Sequence, residues 1–241
     1  MNDELFIKGL KIDWDEIDAD SYLSSIEAIS GLKELLFNKP VTFFVGENGS
    51  GKSTLLEAIA IAYGFNPEGG TKNYNFSTYD SHSELYDHLT LIKGYRHSSW
   101  GYFLRAESFY NVASKEEEYG KLSPKGSMHY HYKSHGESFL AMAQDNFKGN
   151  GLYLFDEPEA ALSPQRQLTL LYEIDRCVKE GSQFIIATHS PILLGIPNSE
   201  ILSFDGSIHA IDYEDTDSYR ITKMFINDKD RILKQLLDEE N

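Results

Sequence analysis

Short, continuous runs of apolar residues recur along this chain and have the length of β-strands. The runs at 41–45, 152–155 and 184–187 predict three strands that are buried on both faces. Apolar and polar residues alternate over 5–12, which predicts an edge strand, and residues 102–106 predict a further strand. The chain therefore offers at least three central strands for one sheet.

Segments with helical or hairpin patterns fill the stretches between these strands. Helices are predicted over 53–62, 137–147, 164–179 and most of 218–237, and a hairpin is predicted over 201–211 across Asp205 and Gly206. Because strands alternate with helices, the pattern predicts a three-layer α/β domain with a parallel central sheet.

Length and composition indicate a single globular domain over residues 1–241. The chain is 41% hydrophobic, and it contains no apolar run of about 18 residues, so we expect no membrane insertion. The one cysteine, Cys177, excludes an internal disulfide framework and a four-cysteine zinc site. Together with an acidic amino-terminal segment that is unlike a signal peptide, it predicts a cytoplasmic protein.

The charge balance bears on the class of partner. The 22 basic and 38 acidic residues give a net charge of −16, which argues against broad non-specific DNA binding. Positive charge and aromatic residues collect at 93–133, where they could stack on single-stranded bases, although packing and a protein-binding surface are commoner roles. A nucleic acid partner stays open and is not indicated by the net charge. His129, His131 and His135 lack the further ligand that a metal site needs.

A glycine-rich loop, GENGSGKS, lies between the first buried strand and its helix at residues 46–53. It matches the pattern G-x-x-x-x-G-K-[S/T], in which backbone N–H groups and a helix N-terminus cradle phosphates. Lys52 would supply a point charge to the β- and γ-phosphates, and Ser53 would offer its hydroxyl to Mg²⁺. As a residue of an exposed loop, Lys52 is expected to contribute little to folding.

Two carboxylates follow the second buried strand in the segment GLYLFDEPEAAL. Asp156 would hold Mg²⁺ through water, and Glu157 would orient or deprotonate the attacking water; a plain turn after a strand is the alternative. The third buried strand ends in ATHS, which places His189 where it could touch the γ-phosphate.

These three segments, together with SHGES at 134–138, resemble in their order the ABC-type ATPases, specifically the branch that includes SMC and RecF-type repair ATPases. The resemblance covers nearly the whole chain and implies a P-loop NTPase fold with an ABC-type mixed sheet and a small antiparallel β portion. It implies that Ser134, Gly136 and Glu137 form the signature motif, which meets the γ-phosphate held by a second subunit. It also implies that ATP is bound by the loop residues Gly46, Asn48, Gly49, Ser50, Gly51, Lys52, Ser53 and Thr54.

The chain departs from the family in two respects. No glutamine occurs over 54–139, so the glutamine of the family's Q-loop is missing. Glu107 could replace it as a Mg²⁺ ligand, and an exposed loop glutamate is an equally good interpretation. The insertion at 107–134 is also too short for the helical subdomain of a transporter ATPase.

The sequence therefore predicts an ATPase that binds ATP and Mg²⁺, closes head-to-tail into a homodimer and acts as a switch for a protein partner of unknown identity. Two alternatives stay open. One is the ATP-binding subunit of an ABC transporter. The other is a slow, nucleotide-gated scaffold for a DNA-repair or defence nuclease.

Overall fold

A computed structural model describes residues 4–18, 20–71, 83–105 and 147–237. Its strands are β1 (Ile7–Ile12), β2 (Glu34–Leu36), β3 (Val41–Val45), β4 (Gly70–Thr71), β5 (Leu89–Lys93), β6 (Trp100–Arg105), β7 (Gly151–Asp156), β8 (Gln183–Ala187), β9 (Glu200–Ser203) and β10 (His209–Ala210). Its α-helices are α1 (Lys52–Tyr63), α2 (Pro164–Lys179), α3 (Asp217–Asn227) and α4 (Lys229–Leu237). The predicted insertion and nearly all of the predicted helix at 137–147 lie outside the described residues.

A seven-stranded mixed sheet forms the centre of the structure, in the order β10-β9-β3-β8-β7-β6-β4. The five inner strands are parallel to one another, and the two-residue outer strands β10 and β4 run antiparallel to them. This sheet confirms the predicted α/β fold with a mixed sheet. Because the inner strands are parallel, the carboxyl ends of β3, β7 and β8 meet at one edge, where ligands of such folds collect.

The side chains of alternate residues on the inner strands pack into two separate cores, one on each face of the sheet. On β7, Leu154 packs into the core around α1, whereas Tyr153 and Phe155 pack into the core around α2. β8 alternates in the same way, with Ile185 toward α1 and Ile186 toward α2. Burial on both faces explains why these strands are continuous apolar runs rather than alternating ones.

A second, three-stranded antiparallel sheet in the order β2-β1-β5 supplies the small antiparallel β portion. The prediction of an edge strand at 5–12 was wrong, because β1 is the central strand and pairs on both sides. The buried side chain of Gln183 links the two sheets. Its Oε1 accepts hydrogen bonds from the amides of Phe6 (2.8 Å) and Ile7 (3.0 Å), and its Nε2 donates to the carbonyl of Ile7 (2.8 Å).

The remaining predicted elements largely match the structure. α2 has the predicted bounds, and the hairpin at 201–211 is present as the antiparallel pair of β9 and β10. The carboxyl-terminal helical segment is divided into α3 and α4, both of which lack buried residues. Among the helices that the structure describes, none combines the length and apolarity needed to cross a membrane.

Candidate functional site

The glycine-rich loop connects β3 to α1 and depends on backbone conformations that favour glycine. Gly46, Gly49 and Gly51 have φ values of 141°, 83° and 99°. At Gly51 a Cβ atom would also lie 2.6 Å from Cγ2 of Ile26 and 2.7 Å from Cδ1 of Ile29. The loop is therefore shaped both by its own glycines and by a segment more than twenty residues earlier, which the sequence did not indicate.

Lys52 is the first residue of α1, and only 4% of its surface is exposed. Its Nζ donates hydrogen bonds of 2.7 Å to the carbonyls of Gly46 and Glu47. Burial lowers the pKa of Lys52, and the negative charges of Glu157, Asp205, Asp156 and Glu159 oppose that shift in decreasing order. The expectation of an exposed loop lysine was wrong, because the loop folds around the ammonium group and satisfies it with its own carbonyls.

Ser53 and Asp156 come together although they are 103 residues apart. The Ser53 hydroxyl donates a hydrogen bond of 2.8 Å to Oδ1 of Asp156. β8 lies between β3 and β7 in the sheet, so the first turn of α1 must reach across the end of β8 to make this contact. A hydroxyl and a carboxylate are hard oxygen donors, and this pair fits a Mg²⁺ ion that uses both. The structure thus brings together two of the three predicted Mg²⁺ ligands.

Glu157 and His189 face each other across the ends of β7 and β8. Their side chains are 44% and 41% exposed, and Nε2 of His189 lies 3.9 Å from Oε1 of Glu157. Glu157 has the left-handed conformation, with φ of 49° and ψ of 52°, and its amide donates to the carbonyl of Ala187 at 2.9 Å. Strained backbone of this kind is often found at functional sites, where surrounding contacts hold it in place. Both predicted catalytic side chains are therefore accessible at the same edge as the loop.

Two further carboxylates in the site were not predicted. Oδ1 of Asp205 accepts a hydrogen bond of 3.0 Å from the amide of Glu47, inside the glycine-rich loop. Oε1 of Glu159 accepts one of 2.6 Å from the amide of His189. In the sequence, Asp205 is visible only as part of the Asp-Gly turn of the hairpin, and Glu159 only as an acid close to Glu157. Neither pattern indicates which main-chain amide the carboxylate would contact.

The other predicted site residues divide between the exposed loop and the undescribed part of the chain. Asn48 and Gly49 are exposed at the tip of the loop, whereas Ser50 and Thr54 are half-buried at its end and at the start of α1. Glu107, Ser134, Gly136 and Glu137 lie outside the described residues, so their roles stay predictions.

Two family models match successive parts of the chain. Residues 22–127 match a model described as "AAA domain". Residues 138–195 match a model described as "AAA domain, putative AbiEii toxin, Type IV TA system". The first match contains the glycine-rich loop, and the second contains Asp156, Glu157 and His189.

Solved structures similar to this chain include SMC heads and an ABC transporter component. The SMC head domain from Thermotoga maritima is 14% identical, covers 86% of this chain and 100% of its own, and has a TM-score of 0.44. An SMC head bound to the C-winged helix domain of ScpA is 18% identical, with coverages of 87% and 99% and a TM-score of 0.47. MJ1267, an ATP-binding cassette of an ABC transporter, is 17% identical, with coverages of 93% and 97% and a TM-score of 0.42. Among curated proteins, no match to the chain was found.

Proposed function

We propose that this chain is an ABC-type P-loop ATPase of the SMC- and RecF-like kind, which binds ATP together with Mg²⁺ and hydrolyses it to ADP and phosphate. The observation that carries the proposal is the 2.8 Å hydrogen bond between Ser53 and Asp156, which joins the phosphate-binding loop to the acidic strand end. Through this bond, the two groups that the sequence assigns to Mg²⁺ lie within reach of one ion.

Lys52 would exchange its present partners for the nucleotide. Its Nζ now bonds the carbonyls of Gly46 and Glu47 at the mouth of the loop, so a phosphate oxygen can replace a carbonyl without moving the buried stem. The amides of the loop and of the first turn of α1 would surround the same phosphates, as at other helix N-termini. When bound to Ser53 and Asp156, Mg²⁺ would neutralise part of the phosphate charge.

Glu157 would act as the general base. Its accessible carboxylate takes a proton from a water molecule, whose oxygen attacks the γ-phosphorus. As the new P–O bond forms, the bond from the γ-phosphorus to the bridging oxygen breaks and leaves ADP. His189, 3.9 Å from the Glu157 carboxylate, would hydrogen-bond the γ-phosphate or that water.

Nucleotide binding and turnover of three variants test this assignment. Lys52→Ala should lose ATP binding, whereas Glu157→Gln should keep ATP binding and lose about 10²-fold or more in kcat, since an amide keeps the shape and removes the base. Asp156→Asn should instead require more Mg²⁺ for the same rate. Glu200→Gln at the opposite end of the sheet is the matched control and should behave as wild type. Wild-type turnover by Lys52→Ala or Glu157→Gln would contradict the proposal.

The finer proposal is that two ATP-bound chains close head-to-tail and that this closure is a switch. Its support is the sequence order of the motifs, in which Ser134, Gly136 and Glu137 would meet the γ-phosphate held by the partner. Light scattering on Glu157→Gln with MgATP should show a dimer, and the same variant with ADP should remain a monomer. A monomer under both conditions would leave the ATPase proposal intact and remove the dimer.

The switch would act on a protein partner in the cytoplasm, the compartment that we propose because the single cysteine, Cys177, is a buried free thiol. One observation favours a gate in a defence or toxin system as a second candidate, namely the toxin–antitoxin description of the family model matched by residues 138–195. Turnover that rises severalfold only with a co-expressed toxin or nuclease would favour that role over a free-standing ATPase.

A further inference from the structure

Glu159 occupies the short 3₁₀ helix Pro158–Ala161, two residues after the proposed base Glu157. Its Oε1 accepts a hydrogen bond of 2.6 Å from the main-chain amide of His189, which is thirty residues away in sequence. A carboxylate that accepts from a backbone N–H forms a charge-assisted bond, which is shorter and stronger than a neutral one. The acid therefore holds the backbone of His189 and leaves its imidazole ring unconstrained by this bond.

A second hydrogen bond joins the same two segments. The amide of Glu157 donates 2.9 Å to the carbonyl of Ala187. The two bonds lie two residues apart on each segment, so they attach 157–159 to 187–189 at both ends. This double attachment holds the main chains of Glu157 and His189 beside each other, and Nε2 of His189 lies 3.9 Å from Oε1 of Glu157.

The other carboxylate oxygen of Glu159, Oε2, makes no comparable hydrogen bond to the residues that the structure describes. Oε2 is buried and has no hydrogen-bond partner among the residues that the structure describes. Burying a carboxylate oxygen without a partner opposes folding, so packing does not explain an acid at this position. The bond to His189 is the contact that compensates for this cost.

We propose that Glu159 is a positioning residue, which keeps the main chain of His189 at the strand end where its ring can work beside Glu157. This inference rests on the proposed ATPase function. Glu159 itself takes no part in proton transfer, since Oε1 accepts from the His189 amide and Oε2 is buried.

A double-mutant cycle on kcat tests whether Glu159 acts through His189. Glu159→Ala should lower kcat about tenfold while the Kd for ATP changes by less than about threefold, because the bond affects the reacting groups and not the loop. His189→Ala should lower kcat at least as much. The double variant Glu159→Ala/His189→Ala should be no slower than His189→Ala alone, because an absent ring cannot be misplaced.

Two further variants separate positioning from folding. Glu159→Gln keeps an acceptor oxygen for the His189 amide and should restore most of the lost kcat. Glu200→Ala is the matched control, because Oε2 of Glu200 also accepts from a main-chain amide, that of Asn38 at 3.1 Å, at the opposite end of the sheet. It should leave kcat unchanged.

Hydrogen exchange of the nucleotide-free protein tests the attachment without relying on activity. Peptides that contain His189 should exchange faster in Glu159→Ala than in wild type, and peptides from α2 should be unchanged. Unchanged exchange at His189 would overturn the proposal. A kcat loss in the double variant equal to the product of the two single losses would also overturn it, as would wild-type kcat for His189→Ala. Absence of ATPase activity in the wild type would instead contradict the proposed function, and the exchange result would still report on the attachment.

Discussion

The main-chain amide of Glu47 donates a hydrogen bond of 3.0 Å to Oδ1 of Asp205, so the turn after β9 holds the glycine-rich loop from outside. The other oxygen of the same carboxylate, Oδ2, accepts from the hydroxyl of Ser203 at 3.2 Å. The bond from Ser203, the last residue of β9, thereby orients the Asp205 carboxylate toward the loop. The loop that would bind phosphate is consequently supported by a segment more than 150 residues later in the chain.

Asp205→Ala should weaken ATP binding about tenfold, because it removes an acceptor bond that orders the loop. Asp205→Asn should bind ATP at least as tightly as wild type, since the amide oxygen can still accept from Glu47 while the negative charge near the phosphates is gone. Titration with a fluorescent nucleotide measures both constants. Equal affinities in Asp205→Ala and wild type would show that the loop needs no such support.

Alanine substitution at two loop glycines should separate backbone strain from steric contact. Gly49 and Gly51 both have positive φ, 83° and 99°, but only at Gly51 would the new methyl group meet neighbours, at 2.6 Å and 2.7 Å. Gly49→Ala should cost roughly 1–2 kcal/mol of stability from its left-handed conformation. Gly51→Ala should cost clearly more and should displace Ile26 and Ile29. Urea unfolding compares the pair, and a larger loss for Gly49→Ala would contradict this account.

ATP affinity should begin to fall with rising pH before an ordinary lysine would lose its proton. Burial lowers the pKa of Lys52 below the usual 10.5, so its ammonium deprotonates at a lower pH in the nucleotide-free protein. Neutral Lys52 no longer attracts phosphate, and the Kd therefore rises as the pH passes upward through that lowered pKa. Titrations from about pH 8 to about pH 10 would measure this rise.

Lys52→Arg is the control for the alkaline fall, because guanidinium stays charged throughout that range. Whatever its affinity at neutral pH, this variant should show a flat profile where wild type weakens. A wild-type profile that is equally flat would place the Lys52 pKa at or above its ordinary value.

The partly buried ion pair between Arg105 of β6 and Glu57 of α1 should contribute to the free energy of unfolding. Nη1 of Arg105 lies 2.8 Å from Oε2 of Glu57, and the side chains are 24% and 10% exposed. Arg105→Ala should cost about 2–3 kcal/mol, since it leaves a carboxylate without its counter-charge in α1. Arg105→Ala/Glu57→Gln should recover part of that loss, as measured by thermal unfolding. A double variant less stable than Arg105→Ala would contradict this interpretation.

The affinity of the ATP-bound dimer should rise when the salt concentration is raised from low to moderate. Each chain carries −16, so long-range repulsion opposes association, and moderate salt screens it beyond ~8–10 Å. The ATP-bound Glu157→Gln dimer should therefore tighten when salt is raised from low to moderate concentration. Ser134→Arg should abolish that dimer and leave ATP binding by the monomer intact. Light scattering checks both statements, and a nucleotide-independent oligomer would contradict them.

The parts of this protein that the sequence determined by itself are local in origin. The glycine positions, Lys52 and Ser53 follow from one loop whose chemistry depends on neighbouring residues, and α2 is bounded by its own Pro164 and Gly181. Apolar runs of strand length predicted β3, β7 and β8 because burial on both faces leaves no polar positions. Each of these signals lies within one element and its flanking residues, so no tertiary information was needed to interpret them.

Tertiary structure decided which distant groups meet. Alternation in β1 indicates one buried face but says nothing about how many strands pair with its edges, and β1 proved to be central. The contacts of Asp205 with Glu47, and of Glu159 with His189, depend on the strand order of the sheet, which places sequence-distant strand ends side by side. The burial of Lys52 also emerges only on folding, because the folded loop supplies the carbonyls that allow an ammonium group to leave water.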